Sequence, residues 1–204
     1  MNELYIEKLK KKIADEKYKL RIGVDQDWVL AKLTEKWVNY YNTIFNDDLK
    51  IEDIKSWNIS DFVKEEAKPY MLNILNIHKF YRDLIPTSDS QRVLEKLSNN
   101  GYEIFIVTDP FTRMSFKSKY DWLKENYPFI PAKNFIFTGN KSAIGLDILI
   151  DDGVHNCESF QGIPLLYEAP YNETEKRFFK VKNWQNIEDI FEYRLHELYD
   201  FYNK

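Results

Sequence analysis

The chain has 204 residues, a formal net charge of −4 and a single cysteine, Cys157. The acidic balance argues against a nucleic-acid polymer as the partner, and one cysteine excludes an internal disulfide framework. No stretch of 18 apolar residues occurs and the N-terminus lacks the apolar segment of a signal peptide. We therefore expect a soluble cytoplasmic protein without a membrane partner, long enough for one α/β core with a small insertion.

The first part of the chain combines one short strand with a long helical segment. Residues 1–19 are predicted to form an amphipathic helix, because apolar residues recur at every fourth position among lysines. A buried strand follows over 19–25. Residues 31–85 have helical periodicity, with a second helical stretch over 69–80. Since about 55 residues exceed what a strand-to-helix crossover needs, this segment is predicted to be an inserted cap.

Beyond the cap, helices and strands alternate along the chain. The predicted helices span 88–99, 116–127 and 184–202, and the predicted strands span 102–108, 134–138, 146–151 and 163–167. This alternation predicts a parallel sheet with helices on both faces. The expected fold is therefore α/β, a Rossmann-like parallel sheet with a small helical cap inserted after the first strand. The core domain is expected over 20–30 and 86–204, and the cap over 31–85.

Polar side chains follow several of the predicted strands. They are Asp25 and Asp27 after the first strand, Thr108 after the second, Lys141 in a later loop, and Asp151 with Asp152 after the fourth strand. Parallel strands place their carboxyl ends at one edge of a sheet, so we expect these side chains to converge. Because residues two apart on a strand face opposite ways, Asp25 and Asp27 can serve one site only if the strand ends just after Asp25.

This set of side chains suits phosphoryl transfer. Carboxylates without histidine or cysteine favour a hard cation, above all Mg²⁺. A threonine and a lysine bind phosphoryl oxygens, and an aspartate whose charge is offset can attack phosphorus. Each residue alone also has an ordinary interpretation: Asp-x-Asp as a solvated turn, Thr108 as a strand-end cap, and Lys141 as a surface lysine. The order of all of them along the chain favours a common site.

The order Asp-x-Asp, Thr, Lys and Asp-Asp resembles the haloacid dehalogenase (HAD) superfamily of phosphotransferases. The segment from Ile104 to Asn156, with its Ile-Val-Thr-Asp-Pro and Leu-Ile-Asp-Asp runs, and the approach from His78 to Pro86 resemble the 5′(3′)-deoxyribonucleotidases. The resemblance covers about residues 19–200. It implies a HAD-like fold and a Mg²⁺-dependent phosphomonoesterase that hydrolyses nucleoside monophosphates, above all deoxyribonucleotides, through an aspartyl-phosphate.

The resemblance also implies a role for each residue of the set. Asp25 would be the nucleophile, and Asp27 would protonate the leaving alcohol and then activate water. Thr108 and Lys141 would hold phosphoryl oxygens. The implied metal ligands are Asp25, the main-chain carbonyl of Asp27, and Asp152, with Asp151 beside them.

Two residues depart from the pattern of this family. Trp28 stands where the family commonly has glycine, and a positive φ there would strain a tryptophan. Asp109 stands where the nucleotidases usually have a small residue. Because a carboxylate facing a phosphate would repel it, Asp109 must face away, take part in metal binding, or indicate a different substrate.

Substrate specificity is expected to lie in the cap. Trp57, Phe62, Phe80 and Tyr81 are the aromatic candidates for stacking on a base or sugar. For each of them, packing within the cap is the alternative. His155 and Cys157 follow the acidic pair, but one histidine and one cysteine are too few for a zinc site, so we interpret them as structural.

Other functions stay open at this point. The same site would serve a phosphatase for a sugar phosphate or another small phosphomonoester. A phospho-acceptor signalling domain uses a similar residue set, but there the acidic pair comes first and no cap is inserted. Trp28 and Asp109 leave room for a phosphate-binding protein with weak catalysis. The sequence does not decide between a monomer and a homodimer.

Overall fold

The computed structural model describes residue 11 and residues 18–202. The helix predicted over residues 1–19 lies outside the described residues, apart from positions 11, 18 and 19. The strands are β1 (Arg21–Val24), β2 (Glu103–Thr108), β3 (Phe135–Phe137), β4 (Ile148–Asp151), β5 (Ile163–Tyr167) and β6 (Phe179–Val181). Within the described part of the chain they form one parallel sheet in the order β3-β2-β1-β4-β5-β6. The predicted α/β class and Rossmann-like parallel sheet are confirmed.

Helices cover the sheet and build the segment between β1 and β2. They are α1 (Leu33–Phe45), α2 (Lys68–Asn73), α3 (His78–Arg82), α4 (Ser90–Asn99), α5 (Arg113–Asn126), α6 (Val154–Ser159), α7 (Trp184–Asp189) and α8 (Leu195–Tyr202). A π-helical segment, Ile190–Arg194, joins α7 to α8 where one regular helix is predicted. Short 3₁₀ turns span Ile51–Asp53, Ile59–Phe62, Glu65–Ala67, Ile74–Asn76, Ala132–Asn134, Lys141–Ala143 and Pro170–Asn172.

The two central strands are buried on both faces. Ile22 and Val24 of β1 and Ile150 of β4 are fully buried, as expected for strands covered by helices on both sides. Gly23 allows close packing there, because a Cβ at this position would lie 2.8 Å from the Leu146 side chain. The sheet edge at the carboxyl ends of β1 and β4 is thus held by a tightly packed core.

The segment over residues 31–85 leaves the sheet and returns to it through a short stem. Lys32 N donates to Ile85 O at 3.0 Å, and Thr87 N donates to Leu30 O at 2.8 Å. Buried side chains of the segment join the same hydrophobic cluster as the sheet, Trp37 among them. The division into a core and a cap at residues 31 and 85 stays a prediction.

Two element predictions are wrong in detail. The helix predicted over 69–80 is broken into α2, the turn Ile74–Asn76 and α3, and Ile77 between them is extended. Asparagine and β-branched isoleucine are weaker helix formers than leucine or alanine, which favours the break. Strand β6 and helix α6 are absent from the prediction.

None of the helices in the described ranges is long and apolar enough to cross a membrane.

Candidate active site

The end of β1 delivers two carboxylates to one cavity because the strand stops at once. Asp25 N still donates to a carbonyl of β4 at 2.9 Å, but the backbone then closes into a loop in which Ala31 N donates to Gln26 O at 2.8 Å. Asp27 therefore lies on a turn. Both Asp25 and Asp27 line the same cavity, as the prediction for this segment requires.

The backbone of this loop has a positive φ at Trp28, at 66°. The left-handed region costs an ordinary residue about 1–2 kcal/mol. The indole compensates through its surroundings: Nε1 donates to Glu168 O at 3.0 Å, and the ring lies 5.8 Å from that of Tyr171. A tryptophan thus occupies a position that glycine would adopt without strain.

Lys141 links the ends of β1 and β4. The Lys141 side chain is 3 % exposed. Its ammonium donates to Asp25 Oδ1 and to Asp151 Oδ2, each at 2.5 Å. The other oxygen of Asp151 accepts from Gly153 N at 2.8 Å and Asn156 Nδ2 at 3.0 Å. Both oxygens of Asp151 are therefore held by the protein.

Asp152 is the more open member of the acidic pair. It is 2 % exposed, and Oδ2 accepts a hydrogen bond from the Tyr171 hydroxyl. Oδ1 is buried and, among the described residues, has no hydrogen-bond partner. Burial raises the pKa of Asp152 well above its usual range, and the charges of Asp25 and Asp151 raise it further.

Negative charge is in excess on this side of the edge. Burial raises the pKa of Asp25 to about 7; the charge of Lys141 opposes the shift and that of Asp151 adds to it. Among the residues that the structure describes, no three acidic, histidine or cysteine side chains already converge as metal ligands. The unpartnered oxygen of Asp152 and the clustered carboxylates nevertheless fit a hard divalent cation, which would lower both pKa values.

A second buried lysine, Lys119 on α5, lies at the same edge and is 1 % exposed. Nζ donates to Asp27 Oδ2 at 2.7 Å, Thr108 Oγ1 at 3.0 Å and Asp109 O at 2.6 Å. Sequence reasoning missed this residue. The available signal is its position in α5, one helical turn before the buried Trp122, on the face turned to the core.

The cavity at this edge has a volume of about 130 Å³. The residues that line it are Asp25, Asp27, Trp57, Asp109, Gly139, Lys141, His155 and Asn156. Thr108, Asp151 and Asp152 are buried and do not belong to this lining. Trp57 is 53 % exposed at the rim, and its ring lies 4.8 Å from that of His155. His155, which we interpreted as structural, is thus a lining residue.

The other predicted aromatic binding residues, Phe62, Phe80 and Tyr81, do not line this cavity. Phe80 is 4 % exposed and packs under Lys36, whose Nζ lies 4.6 Å from the ring centroid. Tyr81 is 2 % exposed, and its ring centroid lies 5.6 Å from Lys119 Nζ. Phe80 therefore packs within the 31–85 segment, as the alternative raised above expects, whereas Tyr81 packs against α5.

Asp109 does not face away from the site. It lines the cavity, and its Oδ2 lies 3.0 Å from the position that a Cβ on Gly139 would take. Glycine at position 139 therefore lets the carboxylate lie here. Of the three options for Asp109, facing away is wrong.

A larger cavity, of about 590 Å³, lies outside this edge. Its lining is made mostly of exposed side chains and includes the ion pair between Lys55 and Glu173, at 2.9 Å. Buried groups that oppose one another in charge are a stronger sign of a reactive site than volume. We therefore assign the candidate active site to the smaller cavity.

Comparisons with known proteins agree with this architecture. The profile of the family described as 5′ nucleotidase, deoxy (pyrimidine), cytosolic type C protein matches residues 19–196. The chain is 41 % identical over 168 residues to the 5′(3′)-deoxyribonucleotidase of Bacillus subtilis, covering 82 % of this chain and 95 % of that protein.

Solved structures show the same fold at low sequence identity. A haloacid dehalogenase-like hydrolase of Streptococcus pneumoniae superposes with a TM-score of 0.56 at 14 % identity, over 85 % of this chain and 99 % of that one. A HAD hydrolase of Bacillus subtilis bound to magnesium gives a TM-score of 0.50 at 11 % identity, over 84 % of this chain and 98 % of that one. The HAD-like fold is confirmed.

Proposed function

Because the chain belongs to the 5′ nucleotidase, deoxy (pyrimidine), cytosolic type C family, we propose that it is a Mg²⁺-dependent phosphomonoesterase that hydrolyses deoxyribonucleoside monophosphates. The observation that carries the proposal is the placement of Asp25, Asp27 and Lys141 around one cavity, with the Lys141 side chain 3 % exposed and bound to Asp25. A nucleophile, an acid and a cationic phosphoryl ligand are thereby within reach of one phosphorus atom.

The chemistry proceeds in two steps at Asp25. In the first step a carboxylate oxygen of Asp25 forms a bond to phosphorus, the bond to the ester oxygen breaks, and Asp27 gives its proton to the leaving alcohol. In the second step Asp27 takes a proton from water, the water oxygen bonds to phosphorus, and inorganic phosphate leaves Asp25. Both steps need an ionisable side chain at position 27.

Lys141 supports both steps by binding the phosphoryl group. Two of its N–H donors are bound to Asp25 and Asp151, which fixes the ammonium beside the nucleophile. A phosphoryl oxygen would take the remaining donor. Thr108 is proposed as a second phosphoryl ligand from the end of β2.

A divalent cation would be held by Asp25, the main-chain carbonyl of Asp27 and Asp152, with Asp151 orienting Lys141. When bound, Mg²⁺ would offset the negative charge of the phosphoryl group and of the surrounding carboxylates. The support for Asp152 as a ligand is its buried, unpartnered Oδ1. Asp151 has both oxygens held by protein donors, which supports an indirect role.

The nucleoside part of a bound substrate would extend out of the cavity, past its rim. A volume of about 130 Å³ suits a phosphoryl group, whereas whole small-molecule ligands occupy about 300–1,000 Å³. Trp57 and His155 line the cavity, their rings lie 4.8 Å apart at an angle of 78°, and we propose them as the contacts for a base or sugar. The 5′(3′)-deoxyribonucleotidase name of the Bacillus subtilis relative supports this substrate class.

The proposal is tested by Mg²⁺-dependent phosphate release from 5′- and 3′-nucleoside monophosphates and sugar phosphates, with Asp25→Asn as the control. We expect selective release from deoxyribonucleotides that is lost in Asp25→Asn and with a chelator. Preferred phosphate release from a sugar phosphate would support the phosphomonoesterase chemistry but reject deoxyribonucleotides as the substrate class. No release from any ester would reject the phosphatase function and leave Trp28 and Asp109 as the first residues to revert.

A further inference from the structure

The contacts of Lys119 account for all of its hydrogen-bonding capacity. An ammonium has three N–H donors and no acceptor. Those of Lys119 reach Asp27 Oδ2, Thr108 Oγ1 and Asp109 O, all between 2.6 and 3.0 Å. We propose that Lys119 is a positioning residue that holds Asp27 for proton transfer and does not bind the phosphoryl group. This inference rests on the function proposed above.

Lys141 differs from Lys119 in the number of its donors that protein acceptors bind. Within the described residues its side-chain contacts are with two acceptors, Asp25 Oδ1 and Asp151 Oδ2. One donor is therefore left for a ligand, and Lys141 lines the cavity while Lys119 does not. The two buried lysines of this edge thus have different tasks: Lys141 meets the substrate, and Lys119 holds the residues that meet it.

Lys119 binds one carboxylate oxygen of Asp27, and among the described residues the other is left without a hydrogen bond. Oδ2 accepts from Lys119. Oδ1 is buried and, in the part of the chain that the structure describes, has no hydrogen-bond partner. Asp27 lines the cavity and its side chain is 31 % exposed, so its carboxylate is open to a leaving oxygen there. The bond from Lys119 restricts the rotation of the carboxylate and keeps it in this position.

Lys119 also determines the direction of the Thr108 hydroxyl. Oγ1 accepts a hydrogen bond from the ammonium, so the hydroxyl proton is left for another acceptor. A phosphoryl oxygen is an acceptor of this kind. The bond to Asp109 O fixes the backbone that follows Thr108 in the same way. One ammonium therefore orders the ends of both β1 and β2.

The surroundings of Lys119 make it rigid. The residue is 1 % exposed, and the Tyr81 ring of the cap packs against its ammonium at 5.6 Å. The position of the ammonium therefore depends on the packing of α3 on α5. The role inferred for Tyr81 is therefore to hold the Lys119 ammonium in place, and it is distinct from binding a base.

The test is the dependence of Lys119→Met on the leaving group. A deoxyribonucleoside 5′-monophosphate releases an alkoxide and needs protonation by Asp27, whereas p-nitrophenyl phosphate releases a stable phenolate and needs little. The readout is kcat/KM, which reports the step that releases the alcohol, because hydrolysis of the aspartyl-phosphate also uses Asp27 and is common to both esters. We expect kcat/KM for the nucleotide to fall by about 10²–10⁴-fold, in the range of general-acid catalysis, and KM to stay within about threefold. For p-nitrophenyl phosphate the expected loss of kcat/KM is about tenfold or less. Lys117→Met, on the exposed face of the same helix, is the matched control and should change neither value.

Three results would overturn the inference. Equal losses of kcat/KM for the two esters would show a general defect of the site, and a higher KM with unchanged kcat would make Lys119 a substrate ligand. If Lys119→Met does not fold, Lys119→Arg takes its place, because it keeps the charge but misplaces the donors. The third result would be an equal loss of activity toward both esters in Lys119→Arg. A wild-type protein that hydrolyses neither ester would instead reject the proposed function, and this inference with it.

Discussion

The two sides of the sheet edge hold their carboxylates in different ways. On the Lys141 side, defined by Asp25, Lys141, Asp151 and Asp152, three buried carboxylates face one ammonium. On the Lys119 side, defined by Asp27, Thr108 and Lys119, one carboxylate has an ammonium of its own. The first side has an excess of negative charge and the second is balanced.

This difference separates two requirements of phosphoryl transfer. An anionic substrate and its cation need a side whose net charge is not balanced until both are bound. Proton transfer needs a carboxylate whose position does not change between steps. In the proposed function the β1 loop would serve both, because Asp25 and Asp27 bind different lysines although only one residue lies between them.

The largest expected effect is the loss of stability in Lys141→Met. Removal of one partner of a buried ion pair costs about 3–5 kcal/mol, and here it leaves three carboxylates without a nearby counter-charge. Lys119→Met should cost less, because the Asp27 side chain is 31 % exposed and water can solvate it. Urea denaturation with and without Mg²⁺ measures both. Mg²⁺ should restore part of the loss in Lys141→Met, and an equal loss in the two variants would contradict the comparison.

Substitution of one carboxylate on each side should separate metal binding from turnover. Asp152→Asn removes negative charge from the Lys141 side and should weaken Mg²⁺ binding about 10–100-fold, with activity recovered at high Mg²⁺. Asp27→Asn should bind Mg²⁺ nearly as well as the wild type but lose about 10²–10⁴-fold in turnover. Calorimetric Mg²⁺ titration and phosphate release at saturating Mg²⁺ distinguish them. Recovery of Asp27→Asn by Mg²⁺ would refute the assignment.

The residues of both sides that lie at or near strand ends could be predicted from the sequence. A short hydrophobic run followed by Asp-x-Asp, or by Asp-Asp, defines both a strand and its carboxyl terminus, and parallel strands place these termini together. Lys141 and Thr108 follow from their order along the chain. The local pattern was sufficient for these residues.

Lys119 itself could not be predicted in the same way. A lysine in a helix is usually exposed, and the burial of this one depends on the 31–85 segment that packs against α5. The same packing determines why Phe80 and Tyr81 are buried, whereas Trp57 is exposed at the rim. Periodicity identifies a helical segment, but it does not say which of its aromatic side chains faces a distant strand end.

Gln26, between the two aspartates, belongs to neither side and offers a smaller test. It is fully buried, and neither its amide nitrogen nor its amide oxygen has a partner among the described residues. Gln26→Met keeps the length of the side chain and removes the buried polar group, so we expect about 1–3 kcal/mol of added stability in urea denaturation. Gln161→Met, at an exposed position, should stay within about 0.5 kcal/mol of the wild type. A destabilised Gln26→Met would indicate a buried water bound to the amide.

The smallest expected effect concerns an ion cluster away from the edge. Glu188 accepts from Arg92 at 2.8 Å and Lys96 at 2.7 Å, and these bonds lower the pKa of Glu188 to about 2. The stabilisation is therefore present above the unfolded-state pKa of about 4.5 and is lost as the pH falls toward 2. Glu188→Gln should be less stable by about 1 kcal/mol or less at pH 7, with a difference that shrinks from pH 4.5 to pH 2.

Urea midpoints measured at several pH values test this last expectation. A difference that is constant with pH would mean that Glu188 contributes by packing. Such a result would also weaken the use of charge balance in comparing the two sides of the edge.

The positions of the five tryptophans give the protein a built-in optical signal. Trp37, Trp122 and Trp184 are at most 1 % exposed, so water-soluble quenchers reach them poorly. Trp57 is half exposed at the rim of the cavity, and Trp28 lies in the loop between the catalytic candidates and Tyr171. Quenchable, long-wavelength emission therefore originates mainly beside the cavity. Binding of an unlabelled nucleotide can be followed by fluorescence even in Asp25→Asn, where no product is formed.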